Sequence, residues 1–188
     1  MNPEAVLELF RTSGALLEGH FRLTSGLHSD RYLQSALVLQ YPEFAAALGE
    51  AIGARTRHLD ATAVLSPALG GIIIGQEVAR ALGVRAIFAE RHEGALTLRR
   101  GFSLSSADRV LIVEDVITTG GSTRETAKVA AASGAAVLGA AAIIDRGTPG
   151  HLQLPLQALV QMTVPTYSPE SCPLCEKGIA VVKPGSRT

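Results

Sequence analysis

Two adjacent acids, Glu114 and Asp115, followed by a turn of small polar residues, form the part of this sequence best suited to chemistry. The apolar run 110–113 predicts a short buried strand, so the acids stand at its carboxyl end, where open parallel sheets bind ligands. The turn 118–122, TTGGS, then leads into a helix predicted over about 123–132. Glycine allows the backbone to approach an anion closely, and the free amides of a helix amino end favour phosphate. This order predicts a sugar-phosphate site, with carboxylates that accept hydrogen bonds from ribose hydroxyls or help to hold a Mg²⁺ complex.

The turn also has a purely structural interpretation, because turns rich in Gly, Ser and Thr are common in α/β proteins. Two better-known phosphate motifs are absent. Ser122 stands where a Walker-type loop requires Lys, and the G-x-G-x-x-G of a dinucleotide fold does not occur here. The acidic pair before the glycines is therefore the feature that favours a sugar-phosphate ligand.

The elements that must position these acids alternate along the chain. A helix is predicted over 3–18, interrupted at Gly14, and another over 42–57, which begins at a proline. Between them, short alternating pieces over about 15–40 predict a small strand-rich hood. Strands and helices then alternate to about residue 144, which favours a parallel sheet with helices on both faces.

Composition bounds the class of protein. The 188 residues suit a single domain over 1–188, and 17 basic residues balance 17 acidic ones, so the formal net charge is zero. This balance gives no support to binding of nucleic acid or membrane by bulk charge. The longest apolar run, 137–144, is too short for a bilayer span, and the first ten residues do not resemble a signal peptide. A cytoplasmic protein is expected.

Cys172 and Cys175 are the two cysteines of the chain and are spaced as C-x-x-C. Such a pair supplies half of a tetrahedral zinc site, but no second pair of ligands is evident nearby, the nearest histidine in sequence being His151. A structural turn is the favoured interpretation. A disulfide or intersubunit contact and a metal site stay open as alternatives, and no metal ligand is assigned.

The segment 110–122, VLIVEDVITTGGS, resembles the phosphoribosyl-diphosphate signature of the type I phosphoribosyltransferases and is most similar to that of the orotate phosphoribosyltransferases. The segment 172–187, CPLCEKGIAVVKPGSR, resembles the tail of one bacterial subgroup of these enzymes. Further segments agree with the family: FRLTSGLHSDRY at 21–32, SPALGG at 66–71, FAER at 88–91, LRRGF at 98–102 and IIDRG at 143–147.

The resemblance implies a fold and an activity. The fold is α/β, a parallel twisted sheet flanked by helices, with the N-terminal hood over the active site. The activity is transfer of ribose 5-phosphate from 5-phospho-α-D-ribose 1-diphosphate to orotate, giving orotidine 5-phosphate and diphosphate in pyrimidine (UMP) biosynthesis. Mg²⁺, held mainly by the diphosphate substrate and water, is the implied cofactor, and a homodimer is the implied assembly.

The resemblance also implies roles for residues of the sugar-phosphate site. It assigns the diphosphate to the loop Ala68, Leu69, Gly70 and Gly71, which in the family commonly holds a strained peptide. Many relatives carry Lys where Gly70 stands, and the alternative is that these glycines only permit close helix packing. It assigns phosphoribosyl diphosphate to Arg91, Glu114, Asp115, Val116, Ile117, Thr118, Thr119, Gly120, Gly121 and Ser122.

The stretch 92–106 has no clear period, and a loop that long inside a compact domain is usually functional. The resemblance implies a mobile catalytic loop that closes over its own site and that of the neighbouring subunit. Arg99, Arg100 and Asp115 are the implied catalytic residues, with the arginines neutralising the departing diphosphate. The best-known orotate enzymes carry lysines and a histidine in this loop. A solvated hairpin with surface arginines is the alternative.

Arg146 follows the apolar run that ends at Asp145, and its planar guanidinium suits the carboxylate that orotate carries and neutral purines lack. The resemblance assigns orotate to Thr118, Arg146, Ser25 and Gly26. Thr24 stands where many relatives place a Lys. The alternative for Arg146 is an ion pair with Asp145 or Asp115.

Two other functions fit parts of this pattern. A purine phosphoribosyltransferase would share the sugar-phosphate site but need a different base pocket, so replacement of Arg146 should matter less to it. A non-catalytic regulator that senses phosphoribosyl diphosphate while binding nucleic acid would be expected to carry a basic face or an added DNA-binding module, and the neutral sequence favours neither.

Overall fold

The structure is a computed structural model that describes residues 1–23, 25–148 and 150–184, so Thr24 lies outside the described residues. The helices are α1 Pro3–Thr12, α2 Ser35–Leu39, α3 Pro42–Thr56, α4 Gly71–Leu82, α5 Gly121–Ala132 and α6 Pro173–Glu176. The strands are β1 Leu16–Arg22, β2 His28–Leu33, β3 Ala63–Pro67, β4 Arg85–His92, β5 Ala95–Leu98, β6 Arg109–Ile117, β7 Ala136–Asp145 and β8 Leu156–Gln161. Short 3₁₀ turns cover Arg57–Leu59 and Pro169–Ser171.

Six strands form the central sheet in the order β5-β4-β3-β6-β7-β8. All neighbouring strands run parallel except β5, which pairs antiparallel to β4 at one edge. β3 and β6 are adjacent in the middle, so the loops that follow them lie side by side at the carboxyl edge. The prediction of an α/β fold with a mostly parallel sheet is confirmed.

Both faces of the sheet are covered because its central strands are apolar on both sides. Along β6, Leu111 and Val113 belong to a buried cluster with residues of α1, α3 and α4. Their neighbours Val110 and Ile112 face the other way, toward clusters that include residues of α5. Full burial of these side chains contributes about 1.5–3 kcal/mol each, which fixes the strand that carries the acidic pair.

The hood is a two-stranded antiparallel sheet of β1 and β2, as the strand-rich prediction required. The pairs Glu18↔Arg31 and Phe21↔Ser29 leave Gly19 and His20 opposite a single residue, so β1 carries a bulge there. Bulges redirect side chains, and this one lies beside the late part of the chain. Backbone hydrogen bonds join the hood to residues 167 and 182, namely His28 with Tyr167 and both His20 and Arg22 with Val182.

Two boundaries differ from the sequence prediction. The predicted helix over 3–18 is wrong beyond Thr12, because Gly14 has φ of 68° and turns the chain into β1. The stretch 92–106 is also not wholly irregular. Glu93 and Gly94 both have positive φ, 49° and 86°, the combination of a two-residue hairpin turn, so residues 95–98 return as a strand.

None of the helices in the described part of the chain has the length and apolar character needed to cross a bilayer.

Candidate active site

Glu114 and Asp115 lie at the carboxyl end of β6, as predicted, but they face different partners. The side-chain hydroxyls of Ser122 and Thr123 donate to Glu114 Oε1 at 2.9 and 2.6 Å. Glu114 therefore holds the first turn of α5 against the strand. Burial raises the pKa of this carboxyl group, while the two hydroxyl donors oppose the shift and the neighbouring Asp115 charge adds to it.

Asp115 lies between the two loops that the sequence assigned to phosphate groups. A Cβ placed on Gly70 would meet its Oδ1 at 2.8 Å and its Oδ2 at 2.9 Å, so the loop 68–71 packs directly against the carboxylate. Burial raises the pKa of Asp115, and the Val116 backbone N–H partly opposes that effect. A desolvated carboxylate beside an anion-binding loop is a group that gains from a nearby cation.

The turn 118–122 has the form of an anion cradle. Gly120 caps α5 in the left-handed conformation with φ of 71°, which a glycine adopts without strain. Among the residues that the structure describes, the backbone N–H groups of 119–122 donate to no protein acceptor. These donors lie at the amino end of α5, a place that suits a phosphate group. Thr118 and Thr119 are exposed, whereas Ile117 is buried and Val116 is half-buried, so both pack against core residues.

The loop after β3 offers a second set of free amides. The peptide bond between Ala68 and Leu69 is cis, and the Ala68 N–H donates to the Ala89 carbonyl at 2.8 Å. Within the described part of the chain, no protein acceptor receives the N–H groups of residues 69–71. A Cβ on Gly71 would meet the Val113 carbonyl oxygen at 2.9 Å, so this glycine permits close packing of α4, whereas Gly70 faces the carboxylate.

Arg146 follows the last residue of β7, and its backbone N–H donates to the Ile117 carbonyl at 2.8 Å. This bond places Arg146 beside Thr118 at the ends of neighbouring strands. The ion pair with Asp145 or Asp115 is not formed, and over residues 1–23, 25–148 and 150–184 the guanidinium has no carboxylate partner. Its Nε is buried without a hydrogen bond, and burial lowers the pKa of Arg146.

The hood approaches Arg146 through Tyr32 of β2, whose charge interaction opposes the burial shift in the pKa of the arginine. Ser25 and Gly26 lie in the turn between β1 and β2. Neither makes a hydrogen bond to Arg146 among the residues described. Tyr32 is thus a hood residue near the predicted base pocket that the sequence prediction missed, although it belongs to the segment 21–32 that carried the resemblance.

The other predicted arginines are engaged with acids at the surface. Arg91 Nη2 lies 2.8 Å from Glu125 Oε2 on α5, and this pairing lowers the pKa of Glu125. Arg99 and Arg100 lie 3.7 and 2.9 Å from the carboxylate of Glu90. The arginine side chains of these pairs are about half exposed, so solvent screens the pairs and they exchange readily.

Comparisons with known proteins identify the family of this chain. A sequence model of the phosphoribosyl transferase domain matches residues 36–153. The orotate phosphoribosyltransferase of Pelotomaculum thermopropionicum is 50% identical over 188 residues, covering 100% of this chain and 99% of that protein. That of Chlorobaculum parvum is 50% identical over 190 residues, covering 100% and 98%. The chain belongs to the orotate phosphoribosyltransferase family.

Solved structures show how widely the fold of this family is shared. The orotate phosphoribosyltransferase of Aeropyrum pernix superposes with a TM-score of 0.71 at 24% identity, covering 84% of this chain and 93% of that one. An adenine phosphoribosyltransferase of Trypanosoma brucei, solved with AMP, pyrophosphate and ribose-5-phosphate, superposes with a TM-score of 0.62 at 19% identity, covering 81% and 79%. Since a purine enzyme shares this fold, the fold alone does not determine which base binds, and the side chains of the base pocket do.

Proposed function

We propose that this chain is an orotate phosphoribosyltransferase, which forms orotidine 5-phosphate and diphosphate from orotate and phosphoribosyl diphosphate. The observation that carries the choice of base is Arg146. A half-buried guanidinium without a protein carboxylate is costly, and a planar carboxylate ligand offsets that cost through paired hydrogen bonds. Orotate carries such a group on its pyrimidine ring, whereas adenine and xanthine carry none.

The two sets of free amides support binding of a different phosphate group of the sugar substrate by each loop. The turn 118–122 binds the 5-phosphate, and the loop 68–71 binds the diphosphate. Asp115, between them, accepts hydrogen bonds from the ribose hydroxyls. The ring nitrogen of orotate then bonds to C1 as the bond from C1 to diphosphate breaks, and fixed positions and charges lower the barrier without a covalent enzyme intermediate.

Mg²⁺ fits the residues present, because the desolvated Asp115 carboxylate lies against the diphosphate loop. Bound with the diphosphate, Mg²⁺ supplies positive charge to the leaving group. Asp115 is the residue that would hold the metal's water shell. Arg99 and Arg100 add charge at the same end of the substrate when they leave Glu90, and closure of their loop excludes water from the activated sugar.

The proposal includes a cytoplasmic homodimer in which the 92–106 loop of one subunit serves the site of its partner. A pair of variants, Arg100→Ala and Asp115→Asn, tests whether the loop of one subunit serves the active site of the other. Each alone should have strongly reduced activity, and the two variants unfolded and refolded together should regain activity because a mixed dimer contains one intact site. Absence of any recovery, with the mixed dimer verified by native mass spectrometry, contradicts a shared loop.

The decisive assay follows loss of orotate absorbance after addition of phosphoribosyl diphosphate, with and without Mg²⁺. We expect Mg²⁺-dependent consumption of orotate and no consumption of adenine or xanthine. Arg146→Ala should lower kcat/KM for orotate by about 10- to 100-fold, the worth of a hydrogen-bonded pair to a charged group. Arg80→Ala, which removes a surface ion pair to Glu77 on α4, is the matched control and should leave kcat/KM unchanged.

Two results contradict the assignment. Consumption of a purine with unchanged orotate absorbance would make the chain a purine enzyme. Equal effects of Arg146→Ala on orotate and on phosphoribosyl diphosphate binding, measured by calorimetry, would place Arg146 outside the base pocket.

A further inference from the structure

A second cluster of reactive side chains lies away from the site described above. The two cysteines, Cys172 and Cys175, meet His20 and His28 of the hood, and the four ligand atoms all lie within 4.8 Å of one another. The histidines are 152 and 147 positions from their cysteine partners, so only the folded chain brings them together. We propose that these four residues form a structural Zn²⁺ site that fastens the late part of the chain to the hood.

The distances between ligand atoms match the edges of a zinc tetrahedron. Zn–S bonds of about 2.3 Å and Zn–N bonds of about 2.0–2.1 Å give edges of about 3.3 Å between nitrogens and about 3.5 Å between nitrogen and sulfur. His20 Nε2 lies 2.9 Å from His28 Nδ1, 3.5 Å from Cys172 Sγ and 3.8 Å from Cys175 Sγ. His28 Nδ1 lies 3.3 Å from Cys175 Sγ. A small outward shift of the atoms accommodates the ion.

The orientation of His20 is that of a metal ligand. Its Nδ1 lies 2.7 Å from the Ile179 carbonyl oxygen, so this nitrogen carries the proton and donates to the backbone. The Nε2 lone pair therefore faces the other three residues. Histidines that bind metals commonly donate their second nitrogen in this way, which fixes the tautomer and the ring orientation.

Burial and chemistry favour zinc in a structural role. Cys172, His20 and His28 are 1%, 3% and 6% exposed, whereas Cys175 reaches the surface, and both thiols are free. Two thiolates and two imidazoles suit Zn²⁺ and do not suit Mg²⁺, which prefers oxygen ligands. Four protein ligands leave no open position for a substrate, so the expected role is to stabilise structure.

The site joins three segments of the chain. His20 lies in the bulge of β1, His28 begins β2, and the cysteines flank the start of α6. The turn with Ser25 and Gly26 lies between the two histidines in sequence, so the ion would join the two strands of the hood hairpin close to that turn. All four ligands lie outside residues 36–153, which match the family domain, so the cluster is separate from the shared sugar-phosphate site.

The experiment uses the full chain without an affinity tag, purified after growth with added zinc, and counts zinc by inductively coupled plasma mass spectrometry. We expect about one zinc ion per chain in the wild type and about a tenth of that or less in Cys172→Ser and His28→Gln. His58→Gln, which changes an exposed histidine outside the cluster, is the control and should retain the metal. Exchange into Co²⁺ should give the visible absorption of a tetrahedral site with thiolate ligands.

A second measurement serves if the ligand variants do not fold. Removal of zinc from the wild type with a strong chelator should increase hydrogen–deuterium exchange in residues 20–22, 28–29 and 167–182, and added Zn²⁺ should reverse the increase while added Mg²⁺ should not. The proposal is overturned if the wild type holds less than about a tenth of a zinc ion per chain and gives no Co²⁺ spectrum. It is also overturned if His28→Gln retains full zinc, or if mass spectrometry of the unreduced protein finds a Cys172–Cys175 disulfide.

Discussion

Gly70 and Asp115 come from different loops, and the backbone of the first packs against the carboxylate of the second. A methyl group at position 70 would lie 2.8 Å from Oδ1 of Asp115. The missing side chain leaves room for the carboxylate between the loop 68–71 and the end of β6.

Gly70→Ala should impair catalysis more than stability. The new methyl group meets the free end of a short side chain, so the carboxylate moves and the fold does not. We expect kcat/KM for phosphoribosyl diphosphate to fall by about 10- to 100-fold, since a displacement of about 1 Å in an active site has effects of that size. The free energy of unfolding should change by less than about 1 kcal/mol in a urea titration.

A double-mutant cycle isolates the cause of that loss. If Gly70→Ala acts through Asp115, it should have no further effect on kcat/KM in the Asp115→Asn background. Full additivity of the two changes would mean that the methyl group acts directly on the diphosphate instead.

The stability of the chain should depend on pH through Asp115. Its folded pKa lies above the ordinary value of 3.8, so the folded state holds the proton more tightly than the unfolded chain does. Raising the pH from that ordinary value through the folded pKa therefore lowers the free energy of unfolding. Asp115→Asn should be more stable than the wild type at neutral pH, and the difference should shrink to zero in acid.

Glu125→Gln provides a comparison of opposite sign. The pairing with Arg91 lowers the folded pKa of Glu125, so its contribution is present above the ordinary pKa and is lost as the pH falls through the folded value. This variant should be slightly less stable than the wild type at neutral pH and equal to it in acid. Parallel denaturant titrations across the pH range measure both differences, and a gain in both variants at neutral pH would contradict the assignment of causes.

Arg146→Met should separate binding from stability. Replacing a desolvated, unpaired guanidinium by an apolar side chain of similar length should leave the substrate-free protein as stable as the wild type or more so. Orotate should then raise the Tm of the wild type and not that of the variant, as measured by calorimetry. A variant that is much less stable without substrate would indicate that Arg146 has a structural partner.

Glu90→Gln should release the two loop arginines. If Arg99 and Arg100 bind diphosphate as proposed, Glu90 competes with it for them, so removal of the Glu90 charge should tighten diphosphate binding by about two- to fivefold, in line with the worth of exposed ion pairs. Inhibition by diphosphate in the forward assay measures the change. Arg85→Ala, which breaks an exposed pair to Asp108, is the control and should leave diphosphate inhibition unchanged. Weaker diphosphate inhibition of Glu90→Gln would contradict the role of the arginines.

Local signals were enough to predict β6 and the turn that follows it. A continuous apolar run, two acids and a glycine pair all act within a few residues, and α5 begins at Gly121, close to the predicted 123. The hairpin at 93–94 was missed because Glu-Gly is a weak turn signal, whereas Asn-Gly or Asp-Gly would have been a strong one.

Contacts between residues that are far apart in the chain could not be predicted from local sequence patterns. The histidines that meet the cysteines in space are His20 and His28, whereas His151 is nearest to them in sequence. The reason is that the hood pairs with residues 167 and 182, which lie far from it in the chain. Arg146 does not pair with Asp145 because the turn after β7 occupies that carboxylate, which accepts a hydrogen bond from the Gly147 backbone N–H at 2.9 Å. A histidine in each strand of a hairpin, together with a distant C-x-x-C, is the signal that could have indicated the cluster.

The pairing of the hood with Tyr167 and Val182 also affects how the chain folds while it is being synthesised. The chain is synthesised from its amino end. β1 and β2 therefore emerge from the ribosome long before residues 167–182, with which they pair, since His28 and Cys175 are 147 positions apart. The edges of the nascent hairpin therefore stay unpaired until residues 167–182 have been made. Chaperone dependence and premature aggregation of this enzyme should respond more to the rate at which residues 167–182 are made than to changes in the central sheet.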